Sequence, residues 1–256
     1  MSILTYHMID PKPCFAATRI HPKQFERQIE MAANMGFVFQ TISDYLWPQQ
    51  KHEKRLAITF DDGYDSVFKH ALPILKQYNA PATVFVNPGY VGQFNTWDVN
   101  FLGMRTLMMS WPQLQHLSKT GWEIGSHGMT HQDLTCLPRS KVMWELNASR
   151  VIIHQQLGIC SPVFSFPFGN ANADAALSAR ECGYTAGVLM NKPKSIQSNK
   201  FFIPRLGVYF FDTLHSCRNK MLAKNKTFHN LIQKMIGCCS NSTVLVKRHQ
   251  WSMKIK

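Results

Sequence analysis

The sequence predicts an α/β fold of parallel strands, closed as a barrel with fewer than its full set of units, and with a doubly wound sheet as the alternative. Three observations carry this expectation. The stretch from Leu56 to Asp65 reads Leu-Ala-Ile-Thr-Phe-Asp-Asp-Gly-Tyr-Asp, a buried strand that rises to two adjacent carboxylates before Gly63 lets the backbone turn. Strand and helix patterns alternate in order at least six times along the chain. The 256 residues, 45% of them hydrophobic, suffice for one large domain with a sizeable core. Parallel α/β folds gather their ligands where strands end, so Asp61 and Asp62 mark the edge to watch.

Taken in order, Ile3 to Tyr6 is a short strand ending in His7. His21-Pro22 opens an amphipathic helix with Phe25, Ile29 and Ala32 or Ala33 on one face and Gly36 as its stop. With the acid-bearing strand this makes a parallel βαβ unit. A helix follows from Ser66 to about Tyr78, bent at Pro73, and then a strand from Thr83 to Val86. Asn87 to Met109, rich in Gly, Asn and aromatics, reads as an excursion over the mouth of the fold. Ser110 caps a helix through Lys119, stopped by Gly121, and Trp122 to Ser126 is a strand delivering His127 and His131.

The longest helix runs from about Ser140 to Leu157, with Val142, Leu146, Ile153 and Leu157 at helical spacing. Val163 to Phe166 is a strand entering Pro167-Phe168-Gly169, Asp174 to Cys182 a helix, and Thr185 to Val188 a strand. After a strand at Phe201 to Ile203, helix returns around Phe211 to Ile236, and Thr243 to Val246 is the last strand. No repeat, low-complexity tract or linker interrupts this, so residues 1–256 are expected to form one catalytic domain.

Composition narrows the class. No run of eighteen apolar residues exists and the start lacks the pattern of a leader, so the chain as given is expected to stay in the cytoplasm. Seven scattered cysteines without Cys-x-x-Cys spacing read as reduced thiols, in keeping with that location. The net charge of +13 favours an anionic partner, such as a membrane surface at the inner face, a phosphorylated glycan or nucleic acid. Its basic clusters, however, lack the aromatic interleaving of a single-strand groove, and no specific nucleic-acid partner is expected.

The chemistry concentrates in two stretches. His127 and His131, four apart, share a face if their segment turns helically, and imidazoles so spaced can share a metal. Joined to Asp62 they form a two-His, one-carboxylate set with coordination positions left open, as a catalytic site requires. Zn²⁺ is the first expectation for the one divalent ion, and Co²⁺, Ni²⁺ or Fe²⁺ suit the same donors. Asp61, beside the ligand, can take a proton from the attacking water. Amide hydrolysis also needs an acid for the departing amine, and His7 or His249, each following a strand, is placed to serve. Trp97 and Trp111 are candidates to stack on a sugar ring, against the plainer reading of rim or core aromatics.

Thr59-Phe-Asp-Asp-Gly63, Ser126-His-x-x-x-His131 and Phe166-Pro-Phe-Gly169, in this order, resemble the first three motifs of the NodB-type polysaccharide deacetylases, carbohydrate esterase family four. Leu4-Thr-Tyr-His7, Pro81 to Phe85 and Pro204-Arg205 extend the similarity to the branch of the poly-N-acetylglucosamine deacetylases, over roughly Leu4 to Val208. The resemblance implies a distorted, incomplete (β/α) barrel of the NodB homology type, Asp61 as base, and Asp62, His127 and His131 as ligands. It places Pro167, Phe168 and Gly169 along the substrate groove. Two positions depart from the pattern: Ser165 stands where an Arg often steadies the base, and Phe168 replaces a Tyr. Arg205 is the expected substitute for the first. The branch also favours His7 over His249 as the acid.

The leading expectation is therefore a metal-dependent hydrolase that removes the N-acetyl group from an amino sugar. A lipid-linked sugar or another amide, such as a formamide, is the alternative substrate. A glycan-binding protein without turnover is the alternative of a different class.

Overall fold

The computed structural model describes residues 2–12, 16–50, 52–96, 105–190 and 198–224. The acid-bearing strand β5 (Arg55–Phe60) pairs in parallel with β1 (Ser2–Tyr6) on one side. On the other it pairs with β6 (Thr83–Val86) at its upper end and β4 (Val38–Gln40) at its lower end. From β6 the sheet continues in parallel through β7 (Glu123–Ser126), β8 (Val163–Ser165) and β9 (Ala186–Leu189). Chain segment 202–207 then closes the circle. Its first half, β10 (Phe202–Pro204), pairs with β9, and its second, β11 (Leu206–Gly207), pairs with β1. The result is a nearly closed, distorted parallel barrel and not an open doubly wound sheet.

Residue parity decides what this barrel encloses. Leu4, Tyr6, Leu56, Ile58 and Phe60 pack outward into the largest apolar cluster. Ile3, Ala57, Phe85, Val163 and Val188 form a separate cluster inside. Thr5, Thr59 and Ser165 continue the inner series one step higher, and His7, Asp61, His127 and Pro167 one step beyond that. The helix α2 (Ile42–Leu46) covers the lower mouth, with Ile42 buried against the inner cluster and its N–H donating to Thr83 Oγ1 at 2.9 Å. The upper mouth carries the polar residues.

The outer helices follow their local signals. In α1 (Pro22–Asn34), His21 Nδ1 accepts from the Lys23 N–H, and Phe25, Ile29 and Ala32 are buried. In α4 (Trp111–Lys119), Ser110 and Gln113 form a reciprocal cap, and Trp111 packs on the outer core. The helix expected from Ser66 to Tyr78 is a π-helical turn at Val67–Ala71 followed by α3 (Leu72–Gln77). Pro73 has no N–H for the regular ladder, which accounts for the wider turn before it.

The longest helix, α5 (Arg139–Leu157), ends at Gly158 in the left-handed region, and α6 (Ala173–Glu181) starts at an Asn172 cap. The final described helix, α7 (Leu214–Met221), packs against the barrel through Cys217, Lys220 and Met221. Lys220 is buried against Asp212, so it adds nothing to the basic surface. The strands β2 (Met8–Ile9), β3 (Arg19–Ile20) and β4 were not expected, being only two or three residues long. The last strand expected at Thr243 to Val246, the helix beyond 224, His249 and Trp97 lie outside the described residues.

Candidate active site

Four strand ends converge at the upper mouth. Register places Tyr6 beside Phe60, and the Asp61 N–H donates to the Tyr6 carbonyl at 3.0 Å, so His7 and Asp61 leave neighbouring strands together. Asp61 is buried and gripped by Arg205, whose Nη1 and Nη2 donate to Oδ1 and Oδ2 at 2.8 and 2.7 Å. The same guanidinium donates to Thr59 Oγ1 at 3.1 Å and to Ser165 Oγ at 2.8 Å, and its Cζ lies 5.2 Å from the centroid of Phe85. Ser165 Oγ in turn donates to Asp61 Oδ1 at 3.2 Å. A short serine thus makes room for an arginine arriving from the barrel-closing segment, between β10 and β11.

Burial alone would push the Asp61 pKa up. The Arg205 charge, helped by His127, its own hydrogen bonds and His7, more than offsets this and holds the carboxylate below its ordinary range. The acid is therefore anionic and fixed in orientation at neutral pH.

Asp62 leaves the strand differently. Its φ of 71° turns the side chain away from Asp61 and toward the histidine loop, and Gly63 follows at φ 77°. Asp62 Oδ1 is buried, with His127 Nε2 and His131 Nε2 at 3.5 and 3.3 Å in place of regular hydrogen bonds. Burial again raises the Asp62 pKa, but His131, His7 and His127 together bring it well below the carboxylate range. Burial lowers His127 from 6.5 to about 4, so its ring is neutral at pH 7. Its Nδ1 lies 2.7 Å from the Ser165 carbonyl, which fixes the proton there and leaves Nε2 to face Asp62.

The loop between the two histidines is irregular, so it is not a helical turn that brings their rings to one side. His131 lies at φ 56°, Gly128 at φ 82°, and the rings meet edge to face with centroids 4.9 Å apart. Side chains that sequence reasoning passed over hold this loop. Asn87 Nδ2 donates to the His127 and Gly128 carbonyls at 2.6 and 3.1 Å. Glu145 of α5 accepts the Met129 and Thr130 N–H groups at 2.7 and 2.9 Å, and also the Thr130 hydroxyl. Asp133 Oδ2 accepts from Asn170 Nδ2 at 2.9 Å, tying the loop to the Pro167–Gly169 turn. One signal for Glu145 was available: it occupies the same helical face as Val142 and Leu146, where an acid is out of place.

Phe168, at φ 59°, lays its ring against His131 with centroids 4.7 Å apart. His7 is half-buried, and its Nδ1 has no hydrogen-bond partner among the described residues. The register that sets Tyr6 beside Phe60 places it next to Asp61 at the mouth.

The donors of Asp62, His127 and His131 lie within 4.8 Å of one another. Tetrahedral coordination with bonds of about 2.1 Å puts neighbouring donors about 3.4 Å apart, close to the 3.3 and 3.5 Å separations from Asp62 Oδ1. A neutral imidazole, a buried carboxylate whose Oδ1 faces both histidine rings and a carbonyl fixing the tautomer suit a divalent cation.

Fold and site together define a parallel (β/α) barrel with a candidate metal centre and a separate, arginine-held carboxylate at its strand ends. A family model for polysaccharide deacetylases matches residues 49–187, and the chain belongs to that family. A poly-β-1,6-N-acetyl-D-glucosamine N-deacetylase of Staphylococcus aureus is 28% identical over 200 residues, 73% of this chain and 67% of the relative. Among solved structures, the Streptococcus pyogenes deacetylase PplD in complex with acetate has a TM-score of 0.74 at 21% identity, covering 86% of this chain and 97% of that one. IcaB from Ammonifex degensii has a TM-score of 0.71 at 22% identity, covering 86% and 96%. These likenesses agree with the distorted NodB barrel.

Proposed function

We propose that this chain is a metal-dependent hydrolase that removes the N-acetyl group from an amino sugar in a glycan. The observation that carries this reading is the buried Asp62, His127 and His131 set beside an Asp61 that Arg205 keeps charged and oriented. A divalent ion held by those three residues, Zn²⁺ by first preference, would acidify water and polarise the amide carbonyl. Asp61 accepts the proton of the attacking water, and Arg205 keeps its carboxylate in one orientation as it does so. His7 donates a proton to the amine as acetate leaves. The Phe168 N–H, in a turn whose Gly169 and Asn170 N–H groups are already bonded, supports the developing oxyanion. Pro167, Phe168 and Gly169 form the wall along which the sugar lies.

The name of the staphylococcal relative supports a β-1,6-linked N-acetylglucosamine polymer as the first substrate to test. The proposal also places the protein in the cytoplasm, which fractionation checks. A lipid-linked sugar or a formamide would meet the same residues.

The test is acetate release from β-1,6-linked N-acetylglucosamine oligomers by Zn²⁺-loaded protein. Asp61→Asn should lose about 10²- to 10⁴-fold in kcat. His7→Ala should lose a comparable factor while its Zn²⁺ affinity stays within about twofold. Full activity in His7→Ala would remove that residue from the acid role in favour of His249. No release from any N-acetylated oligomer or lipid-linked sugar would overturn the reading.

A further inference from the structure

We propose that Glu145 is a positioning residue for the metal centre, acting through the loop that joins its two histidines. The inference rests on the metal reading above. Glu145 is 2% exposed and belongs to α5, the helix that follows the histidine loop, outside the motifs that supply the ligands. Its Oε2 accepts two successive backbone N–H groups, from Met129 and Thr130, and its Oε1 accepts the Thr130 hydroxyl. These groups occupy the middle of the 128–130 loop, whose ends are His127 and His131.

Two features make the contact specific. Gly128 takes φ 82°, and a Cβ there would lie 3.1 Å from Glu145 Oε2, so the carboxylate fills the space that a side chain at 128 would need. His131, directly after the anchored Thr130, takes φ 56°, a conformation that a residue with a Cβ keeps only when its surroundings impose it. With both neighbouring N–H groups fastened to a helix packed on the barrel, the His131 ring is carried to Asp62. Without them the loop relaxes toward ordinary backbone angles, and the ring moves off the donor set. His127 depends less on this anchor, because the Ser165 carbonyl and Asn87 hold it separately.

The geometry also predicts which substitution is harmless. A glutamine can place its amide oxygen on the two N–H groups and its amide nitrogen on the Thr130 hydroxyl, which can accept. Glu145→Gln should therefore keep the loop, and Glu145→Ala should lose it.

The measurement is Zn²⁺ affinity by competition with a chromophoric chelator, with the visible spectrum of the Co²⁺ form as a readout of ligand geometry. Glu145→Ala should bind Zn²⁺ about 10- to 100-fold more weakly and change the Co²⁺ spectrum, while Glu145→Gln stays within about threefold of wild type. Thr130→Val, which removes only the hydroxyl contact, should fall between them and covers the case in which Glu145→Ala does not fold. Wild-type affinity in Glu145→Ala, or in Thr130→Val where the alanine variant is unfolded, would overturn the proposal. Equal losses in Glu145→Gln and Glu145→Ala would do so too, since charge and not loop geometry would then be at work. Failure of the wild-type protein itself to bind Zn²⁺ or Co²⁺ would instead overturn the metal reading beneath it.

Discussion

Replacing Arg205 with methionine keeps an unbranched apolar stem, although a shorter one, and removes the charge that Asp61 faces. Both side chains are almost fully buried, at 0% and 5% exposure, and they meet through two parallel hydrogen bonds at 2.8 and 2.7 Å. Removing one partner of such a pair strands the other in a low-dielectric interior and costs about 3–5 kcal/mol. At roughly 2–4 °C per kcal/mol for a chain of this size, the melting temperature should fall by about 6–20 °C. Asp61→Asn, which leaves the guanidinium without its counter-charge, should cost about 3 kcal/mol. In the double variant neither charge remains, so its loss should be smaller than the sum of the two by about 2 kcal/mol or more. Urea unfolding of the metal-free protein, followed by tryptophan fluorescence, measures all three. Additive losses, or a cost below about 1 kcal/mol for Arg205→Met, would refute the reasoning that this buried pair holds the base in place.

Two further outcomes follow from other parts of the barrel. Gly63→Ala meets both a φ of 77° and a Val86 Cγ1 atom 2.9 Å from the new Cβ, and should destabilise by roughly 1–3 kcal/mol, part of it recovered by adding Val86→Ala; an unchanged urea midpoint would contradict this. Burial, opposed by Lys220 and aided by Asp212, pushes the Cys217 thiol from 9.0 up to about 12. Because the folded value is the higher, its contribution is complete below about pH 9 and is lost as the pH rises toward 12, by about 1.4 kcal/mol per unit. Cys217→Ala should flatten the fall in stability between pH 9 and 10.5, and an unaltered slope would argue against the assignment.

Much of the frame was legible because its signals are local. An apolar strand breaking into Asp61-Asp62-Gly63 needs only its own alternation and turn chemistry to be read. The same holds for the His21-Pro22 and Ser110 helix starts and for the Gly36 and Gly121 stops, whose hydrogen bonds close within one turn of chain. The short strands β2, β3 and β4 escaped notice because two or three residues carry no measurable period. The π turn before Pro73 was legible only as a bend, since a proline marks where the regular ladder fails but not how the backbone adjusts.

The amino-acid sequence by itself determined which donors are available and on which strand ends they emerge, because strand parity sends Asp61, His127 and Ser165 to the inner face. Only the tertiary structure decided how these residues meet. Arg205 reaches Asp61 because segment 202–207 closes the barrel between β9 and β1, a pairing set by the whole circumference. Glu145 faces the 128–130 loop because α5 packs beneath it, although helical spacing alone says only that the residue turns inward. The physical reason is range: caps, turns and alternation are contacts between near neighbours in the chain, whereas a buried ion pair joins residues that become neighbours only once the barrel has closed.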